Sequence, residues 1–378
     1  MNKYYEFVGL KYYLYIYNTI KKFIGGCPFM GNIIDGKSMA ANIISRLTEI
    51  IKEASLNTNS NCIPKKMKLV IITTGDSVAG ASYVRSKINK CKEIGIHPVV
   101  KHYDFFDHDA CQDLCEVLSM NNYPPFIIQL PTIGEYTRNY VYEDLLEYIR
   151  TNNPEIENPE ELIARMDVDG IISPINIAYT YNPMYSIDTD VYNIMNRWNL
   201  PCTPIGVIYM LEHTPNIDLS ASKVTIIGRS DLVAKPLQQF LIDRNAMVTM
   251  VHSMTPCGYK NDAIREADII ISVIGNSNLL DKSYCKYIKC DTKTLIDVGI
   301  FKGEDGKLRG DCDPEYAPKF KNYTPVPGGV GPMTVAMLMC NVVKYYQLPN
   351  QSNYSGAIIP IYPYSVMPKV YGLYKYKD

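Results

Sequence analysis

The stretch KVTIIGRSDLVAKP, residues 223–236, reads as an apolar strand, a glycine turn and the start of a helix. Ser230 and Asp231 are both residue types that open helices. A glycine at the carboxyl end of a strand, with helix amides facing outward beyond it, suits a pyrophosphate, because amides and helix dipole both favour an anion. The G-x-G-x-x-G fingerprint is incomplete, with Gly228 present but Ser230 and Val233 at the other two glycine positions. Taken alone, the stretch is equally well an ordinary strand-to-helix turn.

The next strand, AMVTMV (246–251), tips the reading. Units that bind NAD place a carboxylate about 20 residues after the glycine turn to hold the ribose hydroxyls. Here the strand ends in His252 and Ser253, with no acid. Arg229 is suited to pair with a 2′-phosphate and Ser253 to donate to it, so NADP is the expected cofactor. By itself His252 reads as a strand-end histidine facing solvent or packing.

Outward from this stretch, strands and helices alternate. DIIISVIG (268–275) and TLIDVGI (294–300) continue the second unit as strands, and a helix is expected over about 332–346. Earlier in the chain, DGKSMAANIISRLTEIIKEA (35–54) reads as a helix capped by Asp35, with Ala41, Ile44, Leu47 and Ile51 on its apolar side. MKLVIITTG, HPVVKHYDF and PFIIQLP read as strands, with helices over YVRSKINKCKEIGI, closed by Gly95, and CQDLCEVLSMNNY between them. Such alternation predicts two α/β domains, the second a Rossmann-like dinucleotide-binding domain. The expected division is an N-terminal extension over 1–32, a catalytic domain over 33–200 plus 332–378, and a dinucleotide domain over 201–331. Polar, Asn- and Pro-rich stretches near 132–166 and 180–199 read as surface insertions.

In the first unit, Tyr83 and Lys87 are spaced i, i+4 near a helix start, where open α/β sheets place ligands. Gln129 ends an apolar strand, and a polar group there must be hydrogen-bonded or turned into a site. Asp167 and Asp169 precede Gly170 in DVDGIISP, and one of them has the turn-forming role common for Asp before Gly. A lysine, a tyrosine, a glutamine and a carboxylate suit a nitrogen heterocycle: the lysine moves protons, the ring stacks and the carboxylate accepts from ring amines.

Composition narrows the partners. With 38 Lys+Arg against 39 Asp+Glu there is no net field to attract nucleic acid. The eleven cysteines are scattered, with no C-x-x-C pair and no His/Cys cluster at zinc spacing, so they read as reduced thiols in an intracellular, cytoplasmic setting and no metal is expected. The Tyr-rich leader of residues 1–26 has four lysines and one glutamate around too short an apolar run for a membrane span, which leaves an organellar targeting peptide or a plain surface extension.

An ordered series of segments resembles the bifunctional methylenetetrahydrofolate dehydrogenase/methenyltetrahydrofolate cyclohydrolase family. They are IIDGKSMA, YVRSKINKCKEIGI, IIQLP, DVDG, PCTPIG, VTIIGRSDLV, VHSMTP, ADIIISVIG, LIDVGI and TPVPGGVGPMTVAML, and together they cover most of residues 33–345. The resemblance implies two α/β domains flanking a cleft, in which 5,10-methylenetetrahydrofolate is oxidised with NADP and the methenyl product then hydrolysed to 10-formyltetrahydrofolate, in a homodimer joined through the second domain. It assigns proton transfer to Lys87, its orientation to Gln129, stacking on the folate to Tyr83 and a grip on the pterin to Asp169. Gly228, Arg229, Ser230, His252, Ser253 and Gly275 fall in the cofactor segments. Pro327, Gly328 and Gly329, in the stiff loop that leads to the last helix, are expected at the seam between folate and nicotinamide. The sequence departs from the pattern at Gly80, where the family has a serine, at Ala234, where it has a glycine, and at Met166, where a basic residue is usual. Gly80 keeps open a dehydrogenase with weak or lost cyclohydrolase activity, and beside it stands a non-catalytic NADP-binding protein.

Overall fold

Two parallel sheets organise the chain in this computed structural model. The structure describes residues 30–56, 67–75, 78–130, 138–174, 176–177, 199–275, 279–280, 288–303 and 305–347. The leader, the 180–198 part of the second expected insertion and the tail beyond 347 lie outside them.

A two-residue strand, β1 (Asn32–Ile33), runs into helix α1 (Gly36–Leu56). Asp35 caps this helix, accepting from the Ser38 amide at 3.0 Å and the Ser38 hydroxyl at 2.6 Å. Its buried stripe is Ala40, Ile43, Ile44, Leu47 and Ile50, whereas Ala41 is exposed. Next come β2 (Lys68–Thr74), α2 (Val78–Glu93), β3 (His97–Tyr103), α3 (His108–Met120) and β4 (Phe126–Ile128). β2 lies between β3 and β4, parallel to both. Because both of its faces are covered, its run Leu69–Ile72 is fully buried, as a continuous apolar strand requires.

Within the expected insertion near 132–166, residues 138–166 are largely helical and packed. They form α4 (Arg138–Asn152) and α5 (Pro159–Met166). On α4, Val141, Leu145 and Ile149 bury one face, and α5 buries Ile163, Ala164, Arg165 and Met166. Pro159 stands in the first turn of α5, where its missing N–H leaves no intrahelical partner unsatisfied.

Helix α6 (Cys202–Glu212) leads to the second sheet. Its elements are β5 (Lys223–Ile227), α7 (Ala234–Ile242), β6 (Met247–Val251), α8 (Cys257–Glu266), β7 (Ile269–Ser272) and β8 (Thr294–Asp297). A small hairpin of β9 (Phe301–Lys302) and β10 (Leu308–Arg309) follows, then β11 (Asn322–Tyr323) and the long helix α9 (Val330–Gln347). The sheet order is β1-β11-β8-β7-β5-β6, parallel throughout. The chain passes from β5 outward to β6 and then back across to β7. The crevice at the carboxyl ends of β5 and β7 is therefore the topological switch point, where such sheets bind ligands.

The two units are interleaved. β1 pairs with β11 at the edge of the second sheet, and α9 returns to pack along α1 and α6. The loop before α9 is seated on the start of α1, with the Lys37 amide donating to Gly328 O at 3.0 Å. Gly36 is required there, because a Cβ would sit 2.0 Å from Gly329 O.

Candidate active site

A cavity of about 310 Å³ lies where the first unit, the second unit and α9 meet. Tyr83, Lys87, Gln129 and Asp169 all line it, so the four side chains singled out in the first unit converge on one place. Lys87 follows Tyr83 by one turn of α2 and is 8% exposed. Its Nζ donates to Gln129 Oε1 at 2.9 Å. Gln129 is fixed in turn: its amide donates to Ile72 O at 2.8 Å and its Nε2 to Leu130 O at 2.9 Å. Lys87 Nζ is thus held at the end of β4 by a neutral acceptor. Burial raises the Tyr83 phenol above its ordinary value, which keeps the ring neutral.

The two aspartates of DVDG divide the work. Asp167 is the turn former, fully buried and accepting from the amides of Gly170, Ile172 and Ser173 at 2.8–3.1 Å and from Asn176 Nδ2 at 3.2 Å. Burial outweighs these donors and raises its carboxyl above the usual range. Asp169 is left to face the cavity. Asn199 ties the turn down from the other side, its Nδ2 donating to Asp167 O at 2.9 Å and Arg165 O at 3.0 Å.

Some of the lining escaped sequence reasoning. Cys202 is 1% exposed and its thiol donates to Val168 O at 3.4 Å. Burial first, and then the neighbouring Asp169 carboxylate, push that thiol well above its ordinary value, so it stays protonated. The hydroxyls of Thr203 and Thr334 share a hydrogen bond of 3.0 Å at the same wall. Both threonines sit in quoted segments, PCTPIG and GPMT, and a hydroxyl in each was the available signal.

The expected cofactor residues do not line this cavity. They gather at the carboxyl ends of the second sheet instead: Gly228 follows β5, His252 and Ser253 follow β6, and Gly275 follows the β7 turn. The turn after β5 is a cradle that tolerates no larger residue. Gly228 has φ +133°, and a Cβ there would meet Val273 Cγ2 at 2.5 Å. Helix α7 begins at Ala234, later than Ser230 or Asp231, because residues 231–233 form a turn that brings Leu232 and Val233 to the cavity wall. Ser230 still supports the helix start, its Oγ accepting from the Ala234 amide at 3.2 Å. Arg229 and Ser253 are exposed beside this open helix terminus. His252 Nδ1 accepts from the Met254 amide at 3.2 Å, which shapes the turn after β6. Glycine cradle, helix terminus and free basic and hydroxyl side chains together fit a phosphorylated dinucleotide.

Pro327, Gly328 and Gly329 lie just outside the lining, and Val330, Gly331 and Thr334 take that place. Among the described residues, no group of three His, Cys, Asp or Glu side chains could hold a metal ion. No helix there is long and apolar enough to cross a membrane.

Comparison with known proteins matches residues 34–147 to the tetrahydrofolate dehydrogenase/cyclohydrolase catalytic domain and residues 201–350 to the NAD(P)-binding domain of the same family. The Bifunctional protein FolD of Streptococcus thermophilus is 33% identical over 320 residues, spanning 82% of this chain and 95% of the relative. The crystal structure of the bifunctional FolD enzyme from Campylobacter jejuni aligns with a TM-score of 0.67 and 31% identity, over 83% of this chain and 98% of the other. The fold is shared with Trypanosoma brucei FolD, solved with NADP cofactor and an inhibitor, at a TM-score of 0.68 and 24% identity, over 84% and 97% of the two chains.

Proposed function

The chain belongs to the tetrahydrofolate dehydrogenase/cyclohydrolase family, and from that premise we infer which of its residues carry the two reactions. The enzyme oxidises 5,10-methylenetetrahydrofolate to the methenyl form with NADP and hydrolyses that product to 10-formyltetrahydrofolate. The observation that carries the site reading is the Lys87–Gln129 hydrogen bond of 2.9 Å inside a cavity shared with Tyr83 and Asp169.

We read the roles as follows. Asp169 accepts hydrogen bonds from the pterin, and Tyr83 stacks on the folate. NADP, when bound, accepts the hydride that leaves the one-carbon bridge. Gly228, Arg229, Ser230, His252, Ser253 and Gly275 would hold it, with the glycine cradle and the α7 terminus on the pyrophosphate and Arg229 and Ser253 on the 2′-phosphate. In hydrolysis, water adds to the methenyl carbon, the bond from that carbon to N5 breaks and the formyl group stays on N10. Both protons leave the added water: one reaches N5 and the other passes to solvent, which discharges the methenyl cation. Lys87, steadied by Gln129, is the group placed to carry the proton from the water to N5. Pro327, Gly328 and Gly329 act by seating the loop on α1, one step back from the ligands. Residues 201–331, with β1 added at the sheet edge, would form the NADP unit, and 33–200 with 332–378 the catalytic unit.

Steady-state reduction of NADP with methylenetetrahydrofolate, paired with a chromatographic assay of methenyl hydrolysis, tests this reading. Hydrolysis no faster than solvent would remove the cyclohydrolase role and point to Gly80. NADP binding without reduction would remove the enzyme. Arg229→Ala should weaken NADP about tenfold or more, as loss of a charge-assisted pair implies, and leave NAD nearly unchanged. Equal losses for the two cofactors would refute the 2′-phosphate role.

A homodimer through the second unit is supported by β6, which pairs only with β5 among the described residues and ends the sheet with Met247 52% exposed, beside Ile242 of the neighbouring α7, 47% exposed. Light scattering on Met247→Lys should report a shift toward monomer; an unchanged mass would place the interface elsewhere. Eight described cysteines are free thiols, which agrees with a reducing, cytoplasmic setting.

A further inference from the structure

Helix α9 carries Thr334 and Leu338 on the cavity wall, and Asn341 continues the same stripe one turn deeper. A polar residue is unexpected at that level, where its neighbours Met339, Cys340, Val342 and Val343 are all fully buried. Asn341 is itself 0% exposed. Its Nδ2 donates to Val168 O at 2.8 Å and Leu200 O at 3.2 Å, and lies 3.5 Å from Cys202 Sγ. Val168 O also receives the Cys202 thiol. These two carbonyls belong to the residue before Asp169 and to the residue before Pro201, which lines the cavity. One amide therefore spans both backbone segments that frame Asp169, and it stands on the helix that runs out of the loop at the end of the second sheet.

We propose that Asn341 is a positioning residue for the folate, holding the Asp169 turn at the height from which its carboxylate meets the pterin. The proposal rests on Asp169 contacting the substrate. Asn341 touches neither folate nor NADP on this reading, and it acts through the Val168 carbonyl. Without it, Val168 O and Leu200 O lose a donor in a buried site and the turn relaxes, which misplaces Asp169.

The experiment is steady-state kinetics on the full chain with Asn341→Leu, Asn341→Ser, Asp169→Asn and the double variant Asp169→Asn/Asn341→Leu. Asn341→Leu should raise the KM for methylenetetrahydrofolate about tenfold, the scale of one lost buried hydrogen bond. Its kcat should change by less than about threefold and its KM for NADP by less than about twofold, because uniform binding alone is affected. Asn341→Ser keeps one hydroxyl donor and should recover about half of the logarithmic loss. In the Asp169→Asn background, Asn341→Leu should add less than about twofold, since the group it positions is already gone. An unchanged folate KM, an equal loss of NADP affinity, or the full tenfold effect persisting in the Asp169→Asn background would each overturn the proposal. If Asn341→Leu does not fold, Asn341→Ser must itself show the split, at about threefold in folate KM. Asp169→Asn alone separates the layers. If it leaves folate KM unchanged, the substrate grip assigned to Asp169 fails and the proposal with it; if it raises KM while both Asn341 variants do not, only the proposal fails.

Discussion

Lys87→Gln is expected to lower methenyl hydrolysis by about 10²–10⁴-fold, the range supplied by a positioned acid–base group, while NADP binding stays at its parent value. Glutamine is close to lysine in length and can still bond to Gln129 Oε1, which now accepts from Lys87 Nζ at 2.9 Å. It cannot take up or release a proton. The variant therefore separates the shape of the cavity from its proton chemistry. Hydride transfer moves no proton at Lys87, so dehydrogenation should persist, and the methenyl intermediate should accumulate, visible by chromatography. Hydrolysis within about threefold of the parent enzyme would exclude Lys87 as a proton carrier, since even a modest general acid–base contribution exceeds that. A loss of NADP affinity would contradict the placement of the two ligands in different units, because Lys87 lies on α2 and the glycine cradle follows β5.

Gly170→Ala should destabilise the protein by about 2–5 kcal/mol, combining about 1–2 kcal/mol for a left-handed alanine with about 1–3 kcal/mol of overpacking. Gly170 has φ +71°, and a Cβ there would approach Asn199 O to 2.7 Å, Leu200 C to 2.8 Å and Pro201 N to 3.0 Å. All three are backbone atoms, so no side chain can swing aside. The segment that must yield is the one that Asn341, and Asn199 through Asp167 O, tie to the Asp169 turn. Stability and folate affinity should thus fall together. Denaturant titration measures the first and substrate KM the second, and a change below about 0.5 kcal/mol, ordinary for a surface site, would show that the turn is not as tightly framed as its geometry implies.

Much of the arrangement was legible because it is written locally. Tyr83 and Lys87 share a helix face by spacing alone, and a glutamine closing the apolar FIIQ strand had to be paired or turned into a site. Asp35 before a run with helical periodicity reads as a cap, and it is one. What was misread depended on partners far along the chain. Pro154 and Pro159 made residues 132–166 look like a polar insertion, yet Pro159 starts a helix whose inner face is buried. The helix after Gly228 was expected too early, because only the cavity explains why residues 231–233 stay in a turn. Asn341 could not be read at all: in sequence it is one amide in an apolar helix, and its role exists only through carbonyls that the chain supplied 141 and 173 residues earlier. A two-residue strand such as β1 has too few side chains to show a period.

That small strand bears on how the protein is made. On the ribosome, Asn32 and Ile33 emerge 290 residues before their pairing partner β11. The helix that covers α1 comes later still. At 5–20 residues per second the early segments must wait on the order of tens of seconds, with Ile43, Leu47 and Ile50 of α1 uncovered. Until α9 is made, α1 is open to chaperones and proteases. A ribosome that stalls before Val330 releases a product lacking the α9 wall of the cavity and the cover for α1, so quality control and catalytic competence are decided by the same late helix.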